Sequence, residues 1–175
     1  MPTKKQIWTI GHSTKSWEEF VEMLKSFEIE LLGDVRSFPG SRKFPHFHKE
    51  NIEKKLPKEK IEYFHFKDLG GRRKASPNSK NTIWKNVSFR SYADYMETES
   101  FKNGIKKLTE VASKKRVAIM CSEAVWWRCH RSMISDYLKV NGWKVFHIMN
   151  TEKAYEHPYT KPAKEIDGEL VYGKK

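Results

Sequence analysis

Cysteine is scarce: Cys121 and Cys129 are the only two in 175 residues. Eight positions apart in one motif, they do not form the disulfide framework of a small secreted domain, which leaves reactive, metal-binding or merely buried thiols. Gln6 is the only glutamine beside abundant Lys and Glu, a composition that leans toward a thermophilic source. Long apolar runs are also missing. Val117–Met120 falls far short of the roughly 20 residues that span a bilayer, and the chain opens polar and basic without an apolar signal core. A cytoplasmic protein with no membrane partner is the expectation.

Negative charge is outweighed: 34 Lys and Arg against 22 Asp and Glu give a formal net charge of +12. A field of that sign concentrates phosphate-bearing partners and speeds encounter, so nucleic acid or a nucleotide is the leading expected partner. A lysine-rich chain can equally be basic for solubility. The cations are not confined to a tail, clustering at Arg36–Lys49, Lys54–Lys60, Arg72–Lys74 and Lys114–Arg116.

With no internal repeat or low-complexity linker, the chain reads as one domain over 1–175, with a core over about 7–149 and a C-terminal extension over 150–175. At this size folding buries roughly two-thirds of the surface of the unfolded chain. Ile7–Ile10 reads as a buried strand. Ser16 with Glu19 three residues on makes a capping box for a helix whose face is Trp17, Phe20, Val21, Leu24 and Phe27, and Leu31–Val35 is the second strand. This βαβ succession predicts a parallel pair with the first two strands as neighbours.

Three prolines break Arg36–Pro57, leaving room for a short helix at Lys49–Lys55. Ile61–Phe66 reads as a third strand and Gly70 to Val87 as a long loop suited to a lid or binding role. Helices follow at Phe89–Met96 and around Phe101, Ile105, Leu108 and Ala112. Val117–Cys121 is a fourth strand. A helix carrying Met133, Ile134, Tyr137 and Leu138 stops at Asn141-Gly142, and Trp143–Met149 is a fifth strand. Asp167-Gly168 suggests a turn before a small strand at Glu169–Tyr172. The expected class is α/β: a single three-layer, Rossmann-like domain with a mostly parallel sheet flanked by helices.

Ligands in such sheets gather beyond the carboxyl ends of the strands, and here those positions are chemically loaded. His12 and Ser13 follow the first strand; Asp34, Arg36 and Ser37 the second; Gly70, Gly71, Arg72 and Arg73 the third. Cys121, Glu123, Trp126, Trp127, Arg128, His130 and Arg131 follow the fourth. Cys121 is a nucleophile if a helix N-terminus and Arg128 or Arg131 favour its thiolate; otherwise it is a small buried hydrophobe.

Glu123 can act as a base, grip an amide edge or hold the arginines. Arg128 and Arg131 suit phosphate or carboxylate, and His130 either donates to such an anion or caps the helix. Trp126 and Trp127 either stack on a base or divide into one core and one shielding ring. Asp34 is expected to accept from loop amides or Arg128, or to orient a substrate, with His12 beside it. Gly70-Gly71-Arg72-Arg73 is a flexible turn with two cations, a weak phosphate clamp on its own. A zinc site from Cys121, Cys129 and His130 completed by His46 and His48 lacks a Cys-x-x-Cys pair, so no metal or other cofactor is expected.

Five ordered motifs, Thr9-Ile-Gly-His-Ser13, Leu32-Gly-Asp-Val-Arg-Ser-Phe-Pro39, Asp68-Leu-Gly-Gly-Arg-Arg73, Phe89-Arg-Ser-Tyr-Ala-Asp-Tyr-Met96 and Met120-Cys-Ser-Glu-Ala with Arg128-Cys-His-Arg131, resemble the domain of unknown function 488 family over about residues 7–149. The resemblance implies an α/β fold and points to these motif residues, Tyr92 and Tyr95 among them, as the site; it supplies no reaction. A fainter likeness is to rhodanese-like sulfurtransferases and cysteine phosphatases, which place Asp-Val-Arg after one strand and an active cysteine after another. The stretch from Cys121 to Arg128 holds Glu123 and two tryptophans instead of a glycine-rich cradle, which disfavours phosphatase chemistry and leaves a persulfide-carrying cysteine open.

The expected function is therefore binding or processing of nucleic acid or nucleotides in a pocket whose catalytic candidates are Cys121, Glu123, His130, Asp34 and His12. The alternatives are a sulfurtransferase using Cys121 and a non-catalytic nucleic-acid-binding module.

Overall fold

The computed structural model describes residues 5–40, 44–74 and 76–173. Arg42 and Lys43 of the first basic cluster and Ala75 of the long loop lie outside them. Six strands form the main sheet: β1 (Gln6–Gly11), β2 (Leu31–Asp34), β3 (Glu62–His65), β4 (Val117–Cys121), β5 (Lys144–Ile148) and β6 (Ala154–Glu156). Their order is β3-β2-β4-β1-β5-β6, with β6 antiparallel to β5 and every other pairing parallel. The protein is thus an α/β fold with a mostly parallel sheet. Strand β6 is an element that the sequence reading did not contain.

The expectation that the first two strands are neighbours is overturned: β4 lies between them, pairing Gly11 with Cys121 on one side and Asp34 with Met120 on the other. The reason lies in composition. Every residue of β4 is buried and none carries a charged side chain, which suits a strand covered on both faces. The arrangement puts Cys121 at the middle of the sheet's carboxyl edge, flanked by His12 after β1 and Asp34 on β2.

Five helices accompany the sheet: α1 (Trp17–Ser26), α2 (Lys49–Lys55), α3 (Val87–Tyr95), α4 (Glu99–Ala112) and α5 (Arg131–Val140). Strand residues alternate between two apolar clusters, as the pleat requires. Trp8, Ile10, Leu32, Ala118 and Met120 pack with Phe20, Val21 and Leu24 of α1 and Ile52 of α2. Ile7, Leu31, Val117, Ile119 and Val145 pack with Tyr92 of α3, Phe101, Ile105 and Leu108 of α4, and Met133, Ile134 and Leu138 of α5.

Caps fix where the helices begin. Ser16 Oγ accepts from the Glu19 amide at 3.1 Å, and the side chains of Asn86 and Thr98 cap α3 and α4 in the same manner. Asn141 ends α5, and Gly142 with φ 91° turns the chain away. The long loop before α3 is organised by Asp94, which accepts from Ser79 Oγ and Asn81 Nδ2, each at 2.7 Å. Asp167 and Gly168, both with positive φ, make the turn of a separate hairpin of β7 (Ala163–Ile166) and β8 (Glu169–Tyr172). Among the described residues no helix is long and apolar enough to cross a membrane.

Candidate functional site

Beyond the carboxyl edge of β1, β2 and β4 opens a cleft of about 830 Å³. Of the residues singled out from sequence, it brings together His12, Ser13, Arg36, Ser37, Gly71, Arg72, Cys121, Glu123, Arg128 and His130. Phe44, Asn86 and Ser88, which fall in none of the singled-out motifs, join Phe38, Phe89, Ser122 and Cys129 in completing most of its wall. The start of α3 therefore contributes to the site, a contact between segments far apart in sequence that no local spacing discloses.

The floor is built by continuing the β1–β4 ladder past the strands: the His12 amide donates to Cys121 O at 3.0 Å and the Ser13 amide to Ser122 O at 2.9 Å. Glycine at position 11 is what permits this closure, because a β-carbon there stands 1.7 Å from Glu123 O. Gly71 does the same for His130, whose Nδ1 is 2.5 Å from the position a β-carbon would take.

Cys121, at the end of β4, points its thiol to Cys129, with the two Sγ atoms 2.7 Å apart. Both are free thiols and both are buried at the cleft wall. Burial pushes the Cys121 pKa up, but the hydrogen bond from Cys129 and the charge of Arg131 more than offset it, bringing it down to about 7. Cys129 is driven the other way, by burial and by the neighbouring thiolate. Of the two thiols, Cys121 is thus the one that ionises more readily.

Arg131 explains why a thiolate belongs here. It is 1% exposed, donates from Nη2 to Ala124 O at 3.3 Å, and has no hydrogen-bond partner at Nε or Nη1 among the described residues. No carboxylate pairs with it among the described ion pairs. A buried guanidinium without a counter-charge is costly, and ionisation of the neighbouring Cys121 thiol would supply one.

Asp34 meets a loop amide as expected, that of Arg36, but it does not meet Arg128 and is not among the residues lining the cleft. Its buried carboxylate is saturated by the Arg36 amide (3.0 Å), Arg36 Nε (2.9 Å), Arg36 Nη2 (2.8 Å) and Tyr63 OH (2.5 Å). This two-point fork locks Arg36 at the mouth of β2, and Arg36 Nη2 also donates to Phe47 O at 2.8 Å. His12 reaches Asp34 only through Arg36, whose Nη1 lies 3.5 Å from His12 Nε2. Burial lowers the His12 pKa to about 4, with the Arg36 charge adding to the effect, so the ring is neutral at pH 7; it stacks on Phe47 at 4.4 Å.

His130 does not serve as a side-chain cap of α5. It bonds through Nε2 to Val35 O at 2.7 Å, and burial lowers its pKa to about 4. Arg73, Tyr92 and Tyr95 pin the turn after β3. Tyr92 OH donates to Leu69 O at 2.8 Å, Tyr95 OH to Asp68 O at 2.6 Å, and Arg73 lies 3.6 Å over the Tyr95 ring while donating to Gly70 O at 3.0 Å. Gly70 itself packs on Ser37, whose Oγ accepts from the Arg72 amide at 2.8 Å. Arg72 reaches over the ring of Phe38, which is 70% exposed. Glu123 and Arg128 are exposed at the cleft.

The two tryptophans divide. Trp126 stacks on His147, ring centroids 4.6 Å apart and planes 6° from parallel, while Trp127 is 54% exposed. His147 belongs to a buried chain that sequence reasoning missed. Thr9 Oγ1 meets His147 Nδ1 at 2.5 Å, His147 Nε2 meets His157 Nδ1 at 2.8 Å, and His157 Nε2 donates to Asp136 Oδ1 at 2.8 Å. Asp136 also accepts from the Thr160 amide and hydroxyl and from Tyr172 OH. The chain ties the C-terminal hairpin to α5, β5 and β1 and clamps, through Trp126, the loop that follows Cys121. Burial lowers the His147 pKa to about 2, with His157 and Arg131 adding to the effect. Neither His147 nor His157 falls on a periodic motif, and Asp136 is one of several polar residues of α5, so no local pattern pointed to the chain.

His46 is turned to Lys15 O at 3.0 Å. Among the described residues no group of three or more His, Cys, Asp or Glu is placed to hold a metal ion.

Fold and site define an α/β protein with a basic, cysteine-bearing cleft at the carboxyl ends of parallel strands. Residues 16–138 match the family described as Domain of unknown function DUF488, and the chain belongs to that family. No curated protein and no solved structure matches it.

Proposed function

We propose that this protein is an enzyme that binds a nucleotide or nucleic acid in the cleft and acts on it through Cys121. We read the chain as one three-layer, Rossmann-like domain, for which the carboxyl edge of the sheet is the natural ligand site. The observation that carries the reading is the Cys121 thiol, at the wall of the same cleft that Arg72 and Arg128 line, with the charge of Arg131 lowering its pKa. The Arg128 guanidinium has no hydrogen bond or ion pair among the described residues. Arg72 and Arg128 hold phosphate, Phe38 and Phe89 offer faces to a base, and Glu123 handles a proton or an amide edge.

Binding of short single- and double-stranded DNA and RNA, and of mononucleotides, at low salt tests this. The expected result is affinity that falls steeply with salt. Arg72→Ala and Arg128→Ala each reduce the slope by about one unit. No detectable binding at low salt overturns the reading.

A second reading, a sulfurtransferase, is favoured by one feature: a cysteine at the end of a central strand, its pKa lowered by the charge of buried Arg131, can carry a persulfide. Thiosulfate treatment followed by mass spectrometry would place a sulfur atom on Cys121; an unmodified residue dismisses it. Glu123→Gln separates both enzymes from a binding module, since a module loses no turnover.

A further inference from the structure

We propose that Cys121 and Cys129 form a reversible dithiol–disulfide couple in which Cys121 is oxidised first, by attacking a hydroperoxide, and Cys129 resolves the product. The inference stands whichever substrate the cleft takes, since it rests on the two sulfurs alone.

Three observations carry it. The Sγ atoms are 2.7 Å apart, so joining them needs only a small approach and no rearrangement of β4. Both residues line the cleft, which a small oxidant enters. Their environments differ: Cys129 Sγ accepts from the Arg131 amide at 3.4 Å and burial raises its pKa, whereas the Cys129 contact and the Arg131 charge lower that of Cys121. A thiolate beside a resolving thiol is the arrangement of oxidation-sensitive sites.

The Cys121 thiolate attacks one peroxide oxygen. The O–O bond breaks, an S–O bond forms, and the other oxygen leaves as hydroxide or alkoxide, which takes up a proton. Sulfur loses two electrons and the peroxide gains them. The Cys129 sulfur then attacks the sulfenic sulfur, forming S–S and breaking S–O; the departing hydroxide takes the Cys129 proton and leaves as water. An external dithiol restores both thiols by exchange and is itself oxidised.

Arg131 gives the couple a direction. Closing the disulfide removes the thiolate that balances a guanidinium buried without another counter-charge, so the oxidised form is penalised and the disulfide is readily reduced. The consequence is a site whose nucleophile is withdrawn under peroxide and recovered when the stress passes, without reaching the irreversible sulfinic stage.

Full-length protein treated with hydrogen peroxide at neutral pH, with and without dimedone, then mapped by mass spectrometry, tests this. The wild type is expected to lose both thiols together as a Cys121–Cys129 disulfide that dithiothreitol reverses. Cys129→Ser is expected to trap a dimedone adduct on Cys121, and Cys121→Ser to leave Cys129 unmodified. The wild-type map decides even if a variant misfolds. Both thiols surviving, an over-oxidised Cys121 beside a free Cys129, or Cys129 oxidised as fast in Cys121→Ser would each overturn the proposal. None of these readouts needs a nucleotide, so this test and the binding test fail independently.

Discussion

The carbonyl of Glu123 lies so close over Gly11 that a β-carbon on that glycine would stand 1.7 Å from its oxygen. A side chain at position 11 must therefore push away the loop that follows Cys121. Gly11→Ala is expected to destabilise the fold by about 1–3 kcal/mol, the usual range for overpacking, and to slow alkylation of Cys121 by displacing its surroundings. Urea unfolding and iodoacetamide kinetics measure the two effects. An alanine variant of unchanged stability and reactivity would show that the loop is not held there.

Asp34→Ala leaves buried Arg36 and half-buried Tyr63 without their shared acceptor. Removing one member of a buried, hydrogen-bonded pair costs about 3–5 kcal/mol, and a loss of that size is expected in chemical denaturation. Asp34→Asn, which keeps the shape but loses the charge, should fall between. A loss below 1 kcal/mol for the alanine variant, on the scale of an exposed pair at about 0–1 kcal/mol, contradicts the assignment of Asp34 as the anchor of Arg36.

The thiolate claim has its own pH signature. Alkylation of Cys121 should rise with pH to a plateau with a midpoint at about 7, against the ordinary thiol value of 9.0. Below that midpoint the thiolate is protonated and the rate falls about tenfold per pH unit. Because Cys129 donates to it, Cys129→Ala should move the midpoint up. A wild-type midpoint near the ordinary value would remove the argument that Arg131 is balanced by sulfur.

Acid should destabilise the fold through histidines buried neutral. His12 and His147 titrate at about 4 and about 2 in the folded chain against 6.5 when unfolded, and His130 shifts the same way. Below pH 6.5 the unfolded chain takes up protons that the folded chain refuses, so stability is complete above that pH and falls as pH is lowered toward 4. The slope from these groups is up to about 1.4 kcal/mol per pH unit each. Urea midpoints at pH 7 and pH 5 measure it; equal midpoints contradict the burial of neutral imidazoles.

Much of the fold was legible because it follows from local pattern. Val117–Cys121, the capping box at Ser16 and the stop at Asn141-Gly142 are set by residues close in sequence. Strand order was not, since nothing local to β1 or β2 records that β4, more than 80 positions on, comes between them. The position of a cleft beyond the carboxyl ends of the strands was legible, because ligand sites gather there in parallel sheets. What each residue does within it was not. Asp34, Tyr92, Tyr95 and Arg73 carry the polar groups of a site, yet each is consumed by a partner inside the fold. Conversely, the Cys121–Cys129 contact and the Thr9–His147–His157–Asp136 chain depend on three-dimensional placement that spacing alone does not encode.

Anionic ligands are expected to occupy this cleft rather than the basic surface at large. Hydrogen exchange of the full chain, with and without a short single-stranded oligonucleotide at low salt, measures this most directly. Protection confined to residues 36–40, 71–73, 86–89 and 122–130 is the predicted result. Protection over 54–60 and 114–116 with the cleft segments unchanged would contradict it.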